Sequence, residues 1–306
     1  MDPSLALRTT QLTVSRRSPL TCMATHSFLS LVCLGAEDGV VEVWDSDTGV
    51  LVVSLHGHTE AIWSVALDRT GRRLASGSAD NTIRLWDLDS GTCVRTLVGH
   101  EDTVHCLLWA PSGSLLATGS DDTTVRVWDT DSGALLHTCQ GHSDWIYALA
   151  SHPTEDLFAS GSLDHTVCLW RWSSDALVGT LRHDGHVCSL AATNEWLLSG
   201  SFDKTVRVWS WAAQTCVRRL EFDSPISLIP GPEHATSWHV VTRDENLSAG
   251  PSIVWALSRM SHHPTGWICE REGKIGAPFS LLTTITREGA VVCCPVHDPT
   301  CVLIVV

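Results

Sequence analysis

His58, Ser76, Asp80 and Trp86 are the residues of this chain with the most evident chemical potential. A serine, a histidine and an aspartate can make a nucleophilic triad. The set recurs, however, as His100, Thr118, Asp122 and Trp128, and again as His142, Ser160, Asp164 and Trp170. An enzyme needs one such site, whereas a repeated architecture needs the same brace in every unit. Donor and acceptor capacities suit a brace: the carboxylate accepts from the imidazole, the imidazole meets the hydroxyl, and the hydroxyl oxygen accepts from the indole N–H. Each link contributes about 1 kcal/mol net.

Other reactive groupings are weaker. His183 and His186 could hold a metal, but no third ligand lies in phase with them. His262-His263 reads as a loop pair, and no phosphate-binding glycine loop or C-x-x-C occurs. No metal and no cofactor is therefore expected. The 12 cysteines read as reduced thiols.

The elements that must position these residues form a repeat. Asp38, Asp80, Asp122 and Asp164 stand 42 residues apart, and Trp44, Trp86, Trp128 and Trp170 keep the same step. The period excludes helical-pair repeats of about 34 residues. Within the second period, Ile62 to Leu67, Arg73 to Ser76, Ile83 to Trp86 and Cys93 to Leu97 alternate apolar and polar residues between turn signals such as Asp80-Asn81. That is strand chemistry, and it predicts one four-stranded antiparallel sheet per period. Such a sheet needs neighbours to cover both faces. Reuse of one tryptophan position also accounts for 14 Trp beside one Tyr and five Phe in 306 residues. The net charge of −14 disfavours direct nucleic-acid binding. No apolar run is long enough for membrane insertion and no signal peptide is evident, so a cytoplasmic protein is expected, nuclear being the other option and secretion excluded.

Gly57-His58, Gly99-His100 and Gly141-His142, with the endings Trp44-Asp45, Trp86-Asp87 and Trp128-Asp129, closely resemble the WD-repeat β-propeller family over residues 20–211. The resemblance implies an all-β fold, a β-propeller of seven four-stranded antiparallel blades. Residues 1–18 are then a leader with a possible ring-closing strand, and 19–306 the propeller, regular to about 211 and degenerate over 212–306. In a sixth blade, Asp244 and Trp255 would be turn acid and strand tryptophan, separated by an insertion at Glu245 to Pro251. In a seventh, Glu288-Gly289 would be the turn and Cys294 would take the tryptophan position. Either Gln11 to Ser15 or Cys301 to Val306 could close the ring. Blade one has no matching histidine, and blade five uses His183 without a preceding glycine, so both are expected to be looser.

In this family a narrow top face is built from three places per blade: three and five residues after the in-phase histidine, and the residue before the turn aspartate. Carried onto this chain, the resemblance implies a binding face of Trp63, His105, Asp121, Trp145, Tyr147, Leu163, His186 and Phe202, with Glu37 from blade one. Aromatic residues anchor interfaces, and Asp121 and Glu37 could receive a cationic side chain. The reading is a non-catalytic protein-interaction scaffold that binds a peptide or protein segment, a basic side chain being favoured. An alternative is a substrate-recognition subunit of a ubiquitin ligase or a trafficking complex. The arginine that some ligase receptors carry at the fourth position of the Trp-Asp turn is absent, since Asp47, Asp89 and Asp131 stand there. An enzyme in the propeller mouth is a remote third reading, because no single unrepeated acid–base pair is evident.

Overall fold

The computed structural model describes residues 18–26 and 29–222 with their side chains, and the backbone of strands Thr10–Ser15, Ile226–Ile229, Ser237–Thr242, Ile253–Arg259, Trp267–Lys274 and Thr300–Val305. These residues are all-β. They form six four-stranded antiparallel sheets, each ordered as its strands follow in the chain. Blade two is representative, with Ile62–Leu67, Arg73–Ser78, Thr82–Asp87 and Thr92–Val98. The first strand of each sheet lies beside the first strand of the next, from Leu20–Thr25 through Ile62–Leu67, Val104–Trp109, Ile146–Ser151 and Val187–Ala192 to Ile226–Ile229. This is the blade arrangement of a β-propeller.

The core lies between blades. Ala75, Ile83, Leu85 and Leu97 of blade two pack with Val104, Leu116 and Trp128 of blade three in one buried cluster. Cys106, Val125, Val127 and Cys139 meet Ile146, Phe158, Cys168 and Trp170 in the next. Close approach requires a missing Cβ on the second strand. A Cβ at Gly77 would sit 2.8 Å from Val104 Cγ1, and one at Gly119 would sit 2.7 Å from Ile146 Cγ2. Each glycine thus faces the first residue of the following blade's first strand.

Two β-bulges recur. Between first and second strands the register slips at Leu20/Cys22, Ile62/Ser64, Val104/Cys106, Ile146/Ala148 and Val187/Ser189. Between third and fourth strands it slips immediately before Trp44, Trp86, Trp128, Trp170 and Trp209. A bulge re-aims a side chain and adds twist.

The sixth sheet carries the second bulge at Val254/Trp255, which puts Trp255 in the backbone position of the repeat tryptophans. It lacks the first bulge, its opening strand pairing without a slip from Ile226↔Thr242 to Ile229↔His239. Asp244, the insertion at 245–251, Glu288 and Cys294 lie outside the described residues. The two segments considered for ring closure, Thr10–Ser15 and Thr300–Val305, pair antiparallel with each other in a two-stranded sheet, from Thr10↔Val305 to Ser15↔Thr300.

Gly119→Ala should test the inter-blade packing. Its Cβ has no room beside Cys106 Sγ at 2.6 Å and Ile146 Cγ2 at 2.7 Å. Urea denaturation should show a loss of about 1–3 kcal/mol, the usual cost of overpacking; an unchanged midpoint would mean that the blades are not in contact there.

Candidate functional site

The repeated histidines, hydroxyls, aspartates and tryptophans come together within each blade. In blade two, His58 Nδ1 lies 2.8 Å from Asp80 Oδ2 and Nε2 lies 2.8 Å from Ser76 Oγ, while the Trp86 indole N–H donates to the same Oγ at 2.8 Å. Blade three repeats this with His100, Asp122, Thr118 and Trp128 at 2.7, 2.7 and 3.0 Å. Blade four does so with His142, Asp164, Ser160 and Trp170 at 2.8, 2.8 and 2.7 Å. The hydroxyl oxygen accepts from the indole, so its own proton points to Nε2, and Nδ1–H faces the carboxylate.

Position explains why these groups meet. Ser76 is on the second strand and pairs with Arg84, leaving Trp86, two residues on and bulged, to fold its ring back over Ser76. The aspartate sits in the following turn, where its other oxygen accepts the Thr82 amide at 3.0 Å and the Thr82 hydroxyl at 2.6 Å. It also accepts the Thr59 amide at 3.1 Å, so the loop entering the blade is held as well. The imidazole side chains of His58, His100 and His142 are fully buried.

Blade five is not looser. His183 reaches Asp203 at 3.0 Å and Ser199 at 2.5 Å, and Trp209 donates to Ser199 at 2.7 Å. The connection between its first two strands is short, from Ala192 to Trp196, and this absorbs the altered spacing away from the brace. Blade one is incomplete, because Leu34 stands where the hydroxyl belongs. The Trp44 indole N–H donates instead to Glu42 Oε2 at 3.0 Å, and Ser18 Oγ accepts the Asp38 amide at 3.0 Å.

The residues of the expected top face are joined by a second repeated feature. The residue before each turn aspartate donates its amide to the carbonyl of the residue three after the histidine: Ala79 to Ala61 at 2.9 Å, Asp121 to Thr103 at 3.0 Å, Leu163 to Trp145 at 3.0 Å and Phe202 to His186 at 2.9 Å. In blade one the corresponding bond runs from Glu37 to Pro19 at 3.0 Å, and Glu37 is exposed. The residue five after the histidine is the one skipped by the first bulge: Trp63, His105, Tyr147 and Cys188, with Thr21 in blade one.

Four of these rings form a continuous cluster across three blades. Trp63 and His105 have centroids 5.3 Å apart, His105 stacks on Tyr147 at 4.6 Å, and Trp145 lies 6.3 Å from His105 and 6.4 Å from Tyr147. Trp63 is 41% exposed and Trp145 43%. Phe202, 52% exposed, meets His186 edge-on at 6.0 Å rather than joining the four rings. The two groups connect through Leu163, whose carbonyl accepts from His186 Nδ1 at 2.6 Å.

Asp121 lies beneath the rings, not beside them at the surface. Its side chain is 8% exposed and that of His105 is 10%. His105 Nε2–H donates to Oδ2 at 3.0 Å and also lies 2.9 Å from Oδ1, which is buried and has no further donor. Burial pushes the Asp121 carboxyl above its ordinary range; the His105 imidazole opposes this, and Asp102 and Asp122 add to it. Burial and the charges of Asp121 and Asp144 likewise raise the Tyr147 phenol, keeping it protonated. Among the described residues no group of three or more His, Cys, Asp or Glu has the arrangement of a metal site.

Repeated blades, shared braces and a bulged inner strand define a propeller of one internally repeated unit. The WD domain, G-beta repeat family matches residues 49–87, 91–129, 133–171 and 176–210, each match running from the outer strand of one blade to the third strand of the next. The chain belongs to this WD-repeat family. It is 35% identical over 65 residues to a Lissencephaly-1 homolog of Caenorhabditis briggsae, covering 21% of this chain and 17% of that protein. It is 39% identical over 64 residues to the nuclear distribution protein PAC1 of Coccidioides posadasii, covering 20% of this chain and 14% of that protein. The matched stretches thus span less than a fifth of those relatives.

The braces carry a pH dependence. Burial alone would raise the Asp122 carboxyl, but hydrogen bonds from His100 and Thr124 outweigh it and hold the group well below the carboxylate range; Asp164 and Asp203 are lowered in the same way. Their folded values lie below the unfolded value of about 3.9, so the stabilisation is full above that pH and is lost as pH falls through the folded values. Melting temperature should therefore drop steeply below about pH 4. Asp122→Asn, less stable at neutral pH, should lose less on acidification than wild type; parallel curves would contradict the assignment.

Proposed function

We propose that this protein is a non-catalytic interaction scaffold that docks a peptide or protein segment on the face carrying Trp63, His105, Trp145 and Tyr147. The observation that supports this reading most is the ring cluster itself. Two half-exposed tryptophans stand beside two partly buried rings, at the start of the bulged first strands of three consecutive blades. Exposed aromatic groups with prearranged geometry lose little entropy on binding, and each anchor can be worth about 2 kcal/mol or more. Leu163, His186 and Phe202 extend the surface toward blade five, and Glu37 gives blade one an acid.

A basic side chain suits this face. Its aliphatic stem can lie on the indoles and its charge can sit over a ring face. Asp121 would act indirectly, by holding His105 with its ring stacked on Tyr147. The net charge of −14 favours approach of such a partner. Repetition of the Ser/Thr–His–Asp set in four blades supports a structural role for it over catalysis. We further propose that residues 1–18 supply a closing strand to a propeller spanning 19–306, a reading supported by the antiparallel pairing of Thr10–Ser15 with Thr300–Val305.

Affinity capture from cell extract with wild type, Trp145→Ala and Val98→Ala should test the binding face, Val98 being an exposed apolar residue on an outer strand. Specific partners should be lost with Trp145→Ala, at unchanged melting temperature, and kept with Val98→Ala. Equal recovery with all three would overturn the reading.

A further inference from the structure

At the end of the inner strands away from the aromatic cluster, side chains tie neighbouring blades together. His26 Nε2 donates to the Arg69 carbonyl at 3.0 Å between blades one and two. Arg73 donates to the Gly113 carbonyl at 2.5 Å and reaches Asp131 at 3.3 Å between blades two and three. His152 Nε2 donates to the Asn194 carbonyl at 3.0 Å between blades four and five. Among the described residues, the boundary between blades three and four carries no such tie at this end. It opens instead into a cleft of about 270 Å³ whose walls include Ala110, Pro111, Leu115, Thr154, Glu155 and Trp172.

Trp172 gives this cleft its chemistry. The residue is 5% exposed and packs on Phe158 with ring centroids 4.6 Å apart, yet its indole N–H has no acceptor. This is not inherent to the position. Trp211 stands two residues past Trp209 as Trp172 stands two past Trp170, and it donates to the Thr193 carbonyl at 3.0 Å. The matching carbonyl in blade four, that of His152, accepts from Ser151 Oγ at 3.0 Å instead. A buried donor left without a partner is costly, and such a group beside an apolar cleft points to an acceptor that arrives from outside.

We propose that this cleft binds a peptide segment in which an apolar side chain is followed by a basic one. A ligand carbonyl accepts from Trp172 Nε1–H, and the apolar side chain rests on Ala110, Pro111 and Leu115. The basic group pairs with Glu155 and Asp156, both exposed at the rim, where none of the lining residues is basic. The volume lies below the range of about 300–1,000 Å³ for whole small-molecule pockets, which fits a single anchoring side chain. The site is separate from the aromatic face and does not depend on it.

The test uses the full chain labelled with ¹⁵N-tryptophan, with the indole resonances of residues 172, 211 and 145 assigned from their Phe variants. Acetyl-Leu-Lys-amide is the probe and acetyl-Leu-Glu-amide its control. The Trp172 indole N–H should shift saturably with millimolar acetyl-Leu-Lys-amide while those of Trp211 and Trp145 stay in place. Glu155→Gln should weaken the effect several-fold, and Trp145→Ala should leave it intact. A Trp172 resonance that does not move, or that moves equally with both peptides, would overturn the proposal, the cleft then holding water only.

Discussion

An indole N–H buried between two sheets is costly without an acceptor, and for the repeat tryptophans of blades two to five that acceptor is a hydroxyl on the neighbouring strand of the same blade. The hydroxyl is held in turn by an imidazole, and the imidazole by a carboxylate that also caps a turn and an incoming loop. Removing one member leaves buried partners unsatisfied, at about 1–3 kcal/mol. Against a total stability of about 5–15 kcal/mol for a typical domain, that is a large share for one side chain. The chain of bonds does more than add energy. It fixes where the turn and the entering loop sit relative to the strands, and those loops lead directly into the inner strand.

The candidate binding face follows from the same frame. The brace aspartate holds the loop at Thr59, and a few residues later the strand bulges at Trp63. The residue before the aspartate is bonded back to that loop in five blades. Three blades therefore present Trp63, His105 and Tyr147 from equivalent backbone positions, and their rings meet although they lie 42 residues apart in the chain. Because the braces fix this geometry, the aromatic surface is ordered in advance, as the proposed docking requires.

Much of this was legible in the sequence because the repeat is written in residue types. The phase of His58, His100 and His142 against Asp80, Asp122 and Asp164 announces strand number, turn positions and the bracing set together. Less was legible where substitution changes the chemistry without changing the phase. Blade one keeps Asp38 and Trp44, but Leu34 removes the hydroxyl, and only coordinates show Glu42 taking the indole. Blade five has no glycine before His183, which reads as weakening, and the step from His183 to Asp203 is also shorter, yet that deficit falls in a loop and the brace is complete. The burial of Asp121 under His105 left no trace in the pattern either, since nothing in the alternation of Val104 to Trp109 marks the bulge that tilts His105 over it. Trp172 and Trp211 are alike in sequence position, and only the local hydrogen bonding separates a satisfied indole from an orphan one.

The central claim is that histidine and tryptophan act on one shared hydroxyl rather than as independent core residues. A double-mutant cycle between His100→Ala and Trp128→Phe measures this directly, since both side chains bond Thr118 Oγ1. Unfolding free energies should show a coupling within the range of about 0.5–3 kcal/mol found for residues in one network. Strict additivity of the two losses would contradict the account.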